Sequence, residues 1–430
     1  MMKTFVWNNL SAAEKKAALA RPRFKDDTAL LRDVKAIVEA VKERGDAALR
    51  DYAAKFDGGA PATFRVTPDA VAKAASSIAP DLRAAILQAK ANIEKFHTAE
   101  KPHAVKVETM SGVKCELQWR AMENVGLYIP GGTAPLFSTV LMLAIPAMIA
   151  GCRRIVLCTP PKNGAIHPAV LAAAELCGVT EIYAVGGAQA IAALAYGTES
   201  IPKCDKIFGP GNAYVTMAKQ FVAQDADGAA IDMPAGPSEV MVIADQTANP
   251  AWVAADLLAQ AEHDTMAQAI LVTTDAAFAK QVEGEVTKQL ATLSRKAIAE
   301  KSIAESRIII VANRAAAVEV ANAYAAEHLI IHNDDAATWV PEIQHAGSIF
   351  VGPTTPESAG DYASGTNHVL PTYGYARAYN GVNLLSFMKS MTVQTITREG
   401  LRNLGGAIVT MAEAEGLDAH AQAVKVRLEK

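Results

Sequence analysis

NVGLYIP (residues 124–130) is a short apolar run closed by Pro130 and Gly131 and followed by a helical stretch. The unit repeats. RRIVLCTP (153–160) precedes a helix from His167, EIYAVGG (181–187) precedes another, and KIFGPG (206–211) a third. Strand, loop and helix in rotation predict a parallel sheet with helices on its faces, an α/β fold. Ligands of such sheets sit where the strands end, and here the loops VGLYIPGGTAP, AVGGAQA and FGPGNAY bring small residues and a helix N-terminus to that edge. Each alone reads equally well as a tight turn. Three in consecutive units favour a bound phosphate, although the dinucleotide spelling G-x-G-x-x-G occurs nowhere.

A second rotation of the same kind starts at MPAGPSEVMVIAD (233–245) and runs through QAILVTTD, RIIIVAN and HLIIH to SIFVG. Its first helix carries AQAEHD (259–264), where Gln260 and His263 stand three apart and share one helical face. An amide oxygen beside an imidazole on an apolar helix needs hydrogen-bond partners or a metal ion; a polar patch on a half-exposed helix is the plainer alternative. In AAEHLIIH, Glu327 and His328 set a carboxylate beside an imidazole at a helix–strand junction, either acid–base chemistry or a helix-end charge pair. His332 alternates with Ile330 and is assigned no chemistry. SAGDYASGTNHVLPT places Asp361 and His368 in a loop. His420 lies near the end of a mainly helical tail.

The first hundred residues read as helical, with a Ser11–Glu14 capping box opening the first helix and Pro and Gly as punctuation. His97 and His103 flank Pro102 and read as surface or capping residues. Alternation over 103–120, turning at Met110–Gly112, predicts a hairpin.

With 430 residues the chain supports two sizeable domains. A net charge of −4 without dense Lys/Arg runs gives no footprint for nucleic acid or an anionic membrane, so a small-molecule partner is expected. APLFSTVLMLAIPAMIAG (134–151) is uncharged, but its prolines favour a buried helix over a span. No signal-peptide core opens the chain. Five scattered cysteines suit reduced thiols in a cytoplasmic protein.

VGLYIPGGTAPLFSTVLMLAIPA, GPGNAYV, MPAGPSEV, LLAQAEHD, AAEHLII, GTNHVLPT and EAEGLDAH, in that order, resemble the histidinol dehydrogenase family across nearly the whole chain. The resemblance implies a zinc-dependent homodimer with shared active sites that oxidises L-histidinol through L-histidinal to L-histidine with two NAD. It implies Zn2+ on Gln260, His263, Asp361 and His420, the last reaching in from the neighbouring subunit. Glu327 and His328 would be catalytic. Tyr128, Gln189 and Asn212 would contact NAD, while Ser238, Glu415 and His328 would contact substrate together with the zinc ligands. Asn380 and Asn383 stand where Ser is expected.

The implied architecture is two Rossmann-like domains lacking the G-x-G-x-x-G fingerprint. A helical N-terminal segment (1–24) precedes a discontinuous substrate and metal domain (25–105 and 237–380). The NAD domain (106–236) includes the hairpin, and a helical tail (381–430) is exchanged in the dimer. A related zinc and NAD dehydrogenase acting on another small polar alcohol, a zinc hydrolase and a metal-binding scaffold are the competing readings. The hydrolase leaves three glycine-bearing loops unexplained, and the scaffold gives no reason for Glu327 and His328.

Overall fold

Two parallel sheets, each covered by helices, and a small antiparallel sheet make up the computed structural model, which describes residues 2–22, 27–59, 61–131 and 135–429. The chain opens with strand β1 (Lys3–Val6), helix α1 (Ala12–Ala18) and four further helices: α2 (Asp27–Arg44), α3 (Asp46–Phe56), α4 (Pro68–Ser77) and α5 (Pro80–Ala99). The hairpin β2 (Val105–Met110) and β3 (Val113–Ala121) follows, turning at Gly112 with φ 77°. The first rotation then supplies β4 (Asn124–Tyr128), α6 (Phe137–Ala150), β5 (Arg154–Thr159), α7 (Pro168–Leu176), β6 (Glu181–Ala184), α8 (Gly187–Tyr196), β7 (Lys206–Phe208), α9 (Ala213–Gln224) and β8 (Ala230–Ile231). The second supplies β9 (Glu239–Ala244), α10 (Pro250–Ala261), β10 (Gln268–Thr273), α11 (Ala276–Leu290), α12 (Lys296–Ala304), β11 (Arg307–Ile310), α13 (Arg314–Tyr324), β12 (His328–His332) and β13 (Ser348–Val351). A short helix α14 (Glu357–Tyr362), strand β14 (Met388–Ile396) and helices α15 (Arg398–Ala414) and α16 (Asp418–Leu428) complete it.

The first sheet has order β6-β5-β4-β7-β8 and the second β1-β11-β10-β9-β12-β13. In both, the order reverses beside the first strand of the rotation, between β4 and β7 and between β9 and β12; such a reversal opens a crevice for ligands. Strands β9 and β10 are buried along their whole length, as expected for parallel strands covered on both faces. Helix starts follow local chemistry. Thr67, His167 and Asn249 cap helices whose first residues are Pro68, Pro168 and Pro250, where a missing N–H costs nothing. The Ser11–Glu14 capping box forms as expected.

Three expectations change. Lys3–Val6 is a strand paired in parallel with β11, because the open edge of the sheet offers backbone partners that a side-chain pattern does not reveal. The helices between 27 and 99, grouped above with residues 237–380, lie on the other sheet: α2 packs on α8 and α9, α4 on α7, and α5 on α6. In the tail, Met388–Ile396 is not helical but pairs antiparallel with β3, since its β-branched residues complete the hairpin as a third strand. Helices α15 and α16 pack on each other beyond it.

The uncharged stretch is α6, buried on nearly every side and ended by Gly151 in the left-handed region. Its 14 residues span about 21 Å, against roughly 30 Å of bilayer hydrocarbon. Among the described residues no helix is long and apolar enough to cross a membrane. Leu143, 0% exposed at the centre of α6, is expected to cost about 2–5 kcal/mol on substitution by Ala. Leu87→Ala, at a site 46% exposed, should cost less than about 1 kcal/mol, both read from urea unfolding midpoints.

Candidate active site

The start of β12 lies beside the start of β9, with His328 opposite Val240. That register brings Glu327 and His328 to one residue: the Glu239 N–H donates to Glu327 Oε2 at 2.8 Å, and His328 Nδ1 donates to the Glu239 carbonyl at 3.1 Å. A carbonyl oxygen only accepts, so Nδ1 carries the hydrogen. His328 Nε2 is left buried without a hydrogen-bond partner, 3.5 Å from Asp361 Oδ1. Both catalytic candidates are buried, and Gly347 permits it: a Cβ there would come within 2.5 Å of the Glu327 carbonyl.

Helix α10 ends at Ala261, so His263 stands in the turn that follows and not on the helical face expected for it. The two residues still meet, because the His263 N–H donates to the Gln260 carbonyl at 3.2 Å as the chain reverses towards β10. Asp361, expected in a loop, lies on α14, which also carries Glu357 four residues earlier on the same face. Atoms of His263, Glu357 and Asp361 lie within 4.8 Å of one another. Gln260 is 1% exposed; with its amide nitrogen turned to the Glu357 carboxylate, its oxygen accepts from the Glu239 N–H at 3.1 Å. Glu357 escaped the sequence analysis because reading this stretch as a loop hid the i, i+4 spacing.

The electrostatics of the cluster are unbalanced. Burial raises Glu327 to about 8 and Glu357 well above the usual carboxylate range, with His328 opposing in both cases. For His328 burial disfavours the charge, but Glu357, Glu327 and Asp361 outweigh it and hold the imidazole well above its ordinary value. Burial also opposes ionisation of Asp361, yet His328, His368 and His263 bring it below the usual value. Solvent reaches part of the His263 ring, while the atoms around it still desolvate it enough to lower its affinity for a proton. Three carboxylates around one imidazole leave negative charge that a divalent cation would offset. Carboxylates, an imidazole and an amide oxygen suit zinc.

On the facing sheet, Tyr128 is buried and its hydroxyl accepts from the Gly187 N–H at 3.1 Å, at the start of α8. Gln189 is buried two residues along, and Asn212 caps α9 through Tyr214 and Val215. Of the loop VGLYIPGGTAP, residues 132–134 lie outside the described residues. A cavity joins this side to the other, lined by Gly209, Lys219 and Asp232 together with Ser238, Glu327 and His368. Lys219 is 3% exposed and ion-paired with Asp232, and it donates to the Gly209 carbonyl at 2.9 Å. It was missed because a lone Lys inside a helical pattern looks like a solvated one.

A family model described as histidinol dehydrogenase matches residues 20–428. The chain belongs to the histidinol dehydrogenase family. It is 53% identical over 429 residues to the histidinol dehydrogenase of Vibrio vulnificus (strain YJ016), covering 100% of this chain and 99% of that protein. The histidinol dehydrogenase of Pasteurella multocida (strain Pm70) is 52% identical over the same shares. A crystal structure of histidinol dehydrogenase from Elizabethkingia anophelis superposes with a TM-score of 0.95 at 50% identity, covering 100% of this chain and 98% of that one.

Within this histidinol dehydrogenase family chain, Glu415 ends α15 and His420 lies in the first turn of α16, both exposed. Among the described residues neither joins the group around Asp361. Asn383 caps a short turn reciprocally with Ser386, and Asn380 is exposed. His97 is not at the surface: it is fully buried, with Nδ1 donating to the Ile93 carbonyl at 2.9 Å and its other nitrogen facing Asn367, beside His368.

One turn before Gln260, Asp256 is raised from 3.8 to about 7 by burial. The native state therefore holds a proton that the unfolded chain has released, and stability falls as pH climbs from about 4 to 7. Asp256→Asn should flatten that fall and raise the unfolding free energy above about pH 7 by roughly 1–3 kcal/mol, read from urea unfolding.

Proposed function

We propose that this chain oxidises L-histidinol through L-histidinal to L-histidine, in the final steps of histidine biosynthesis, with zinc at the α10–α14 cluster and NAD as electron acceptor. What supports it most is one contact: a buried imidazole nitrogen, His328 Nε2, left without a hydrogen-bond partner 3.5 Å from a carboxylate of the cation-competent cluster. Family membership supplies the substrate, and the cluster explains why a metal belongs beside it.

Gln260, His263 and Asp361 would hold the ion, with His420 reaching from the tail of a second copy in a homodimer. Ser238 and Glu415 would contact histidinol, and Tyr128, Gln189 and Asn212 the nucleotide. Zinc, having no accessible redox change, would supply polarisation and a fixed grip on the substrate, while the nicotinamide accepts hydride.

His328 has Nδ1 committed to the Glu239 carbonyl, so Nε2 is the atom that would take the alcohol proton as hydride departs, once a cation on the surrounding carboxylates offsets the charge that holds the imidazole protonated. The aldehyde has no further hydride to give until water adds across its carbonyl. Glu327 is suited to removing a proton from that water, because burial that raises its pKa to about 8 makes its carboxylate a stronger base than an exposed one. The hydrated aldehyde then loses a second hydride and becomes the acid. Holding the substrate against both residues turns a loose encounter into a reactive geometry.

NADH formed per histidinol consumed tests the reading: two per substrate, abolished by a chelator and restored by zinc, is expected. A ratio of one, or indifference to chelation, would reject it. The shared site is tested by mixing inactive His263→Ala and His420→Ala proteins under verified subunit exchange. Hybrid dimers should regain activity at one of their two sites; no recovery would place His420 in its own chain's site.

A further inference from the structure

We propose that Arg21 and Glu239 are a positioning pair for Glu327, an inference that rests on the catalytic role proposed for that residue. Glu239 holds both of them through its main chain, the N–H on the Glu327 carboxylate and the carbonyl on His328 Nδ1. Yet it is the first residue of β9. Its ladder partner on one side is Gln268, while on the other the register begins only at Val240, opposite His328. A residue in mid-strand has ladder partners for both backbone groups; at this strand end the N–H goes to a side chain instead, and the Glu239 side chain adds to what holds it.

That side chain is enclosed. Glu239 is 1% exposed, and its two oxygens accept from Arg21 Nε at 2.5 Å and Nη2 at 2.9 Å, a fork that fixes the carboxylate in a plane. The Tyr373 N–H adds a third bond at 2.8 Å. Arg21 is held in turn: its guanidinium lies 3.9 Å from the centre of the Tyr324 ring, and Nη2 donates to the Tyr324 carbonyl at 2.7 Å. Tyr324 is fully buried, its hydroxyl donating to Gln268 at 2.8 Å, which closes the loop back to the strand beside β9.

Tyr373 adopts φ 56°, an uncommon conformation for a residue with a bulky side chain, and its hydroxyl donates to the Pro22 carbonyl. Its ring rests on Gly236, where a Cβ would come within 2.4 Å. Arg21 and the Tyr373 N–H, from distant parts of the chain, thus meet on one carboxylate, with Tyr324 and Gln268 behind the guanidinium. For stability alone an apolar pair of the same volume would serve as well as a buried ion pair. What the ion pair adds is direction, carried through the Glu239 main chain to the Glu327 carboxylate.

The two half-reactions, histidinol to histidinal and histidinal to histidine, are measured separately on the zinc-loaded protein. The variants are Arg21→Gln, Arg21→Lys, Glu327→Gln and the double variant Arg21→Gln/Glu327→Gln, each with zinc content and urea midpoint recorded. Arg21→Gln should lower kcat for histidinal oxidation by about 10- to 100-fold, with KM within about threefold and zinc unchanged. Arg21→Lys keeps the charge but not the fork and should lose less.

Glu327→Gln should spare histidinol oxidation far more than histidinal oxidation. In its background, Arg21→Gln should change histidinal oxidation by no more than about twofold. Equal losses with and without Glu327, a loss that follows zinc content, or no loss at all would overturn the positioning role while leaving the catalytic assignment standing. Full histidinal oxidation by Glu327→Gln would overturn both. Should Arg21→Gln fail to fold, Arg21→Lys alone and with Glu327→Gln carries the same comparison: a partial loss in the first and none further in the second is expected, and equal losses overturn the inference.

Discussion

Every arrangement at the candidate site depends on the main chain of Glu239, whose N–H and carbonyl, in two successive peptide groups, bond the Glu327 carboxylate and His328 Nδ1. Buried backbone groups must find partners, and a strand start has spare ones on the side where the neighbouring ladder has not yet begun. Placing Glu327 and His328 at that spot satisfies both groups and orients the pair in the same stroke. The consequence is a tautomer: with Nδ1–H engaged, Nε2 faces Asp361 and the α10–α14 cluster.

The same placement sets the electrostatics. Glu327, Glu357 and Asp361 are drawn together around one imidazole, and burial lifts two of the three above the usual carboxylate range. Such a cluster opposes folding unless protons or a cation balance it, so folding, protonation and metal affinity are one linked problem. The scaffold around it is correspondingly stiff. Strands β9 and β10 are buried throughout, and α6 packs apolar side chains on nearly every side. The site also sits at the amino-terminal edge of its sheet, whereas the glycine loops Gly186–Gly187 and Gly209–Asn212 lie at the carboxyl edge of the other. A cavity lined by Gly209 and Lys219 on one side and Ser238 and Glu327 on the other connects the two.

Much of this was legible in the chain itself. The rotation of strand and helix from Asn124 and again from Glu239 reflects period and punctuation, which are local, and both sheets are parallel as that rotation requires. Gln260 and His263 were legible as candidates because polar residues inside an apolar run demand partners, Glu327 and His328 because a carboxylate stands beside an imidazole, and Asp361 through the family resemblance. The misreadings were all cases in which a distant element decided a local state. Lys3–Val6 is a strand only because β11 leaves an edge open, and Met388–Ile396 only because β3 does. Glu357 stayed hidden until Gly- and Ser-rich sequence proved helical, and His97 looked exposed until Asn367 was found against it.

By itself, then, the sequence determined the two α/β rotations, the absence of a dinucleotide fingerprint and the candidate residues, because hydrophobic period, turn chemistry and residue type are properties of neighbours along the chain. Only the tertiary structure decided which acid shares a cluster with His263, which nitrogen of His328 is free, and that Arg21 reaches Glu239. Those are distances between residues up to some hundreds of positions apart, set by strand register and helix packing, and no local pattern encodes them.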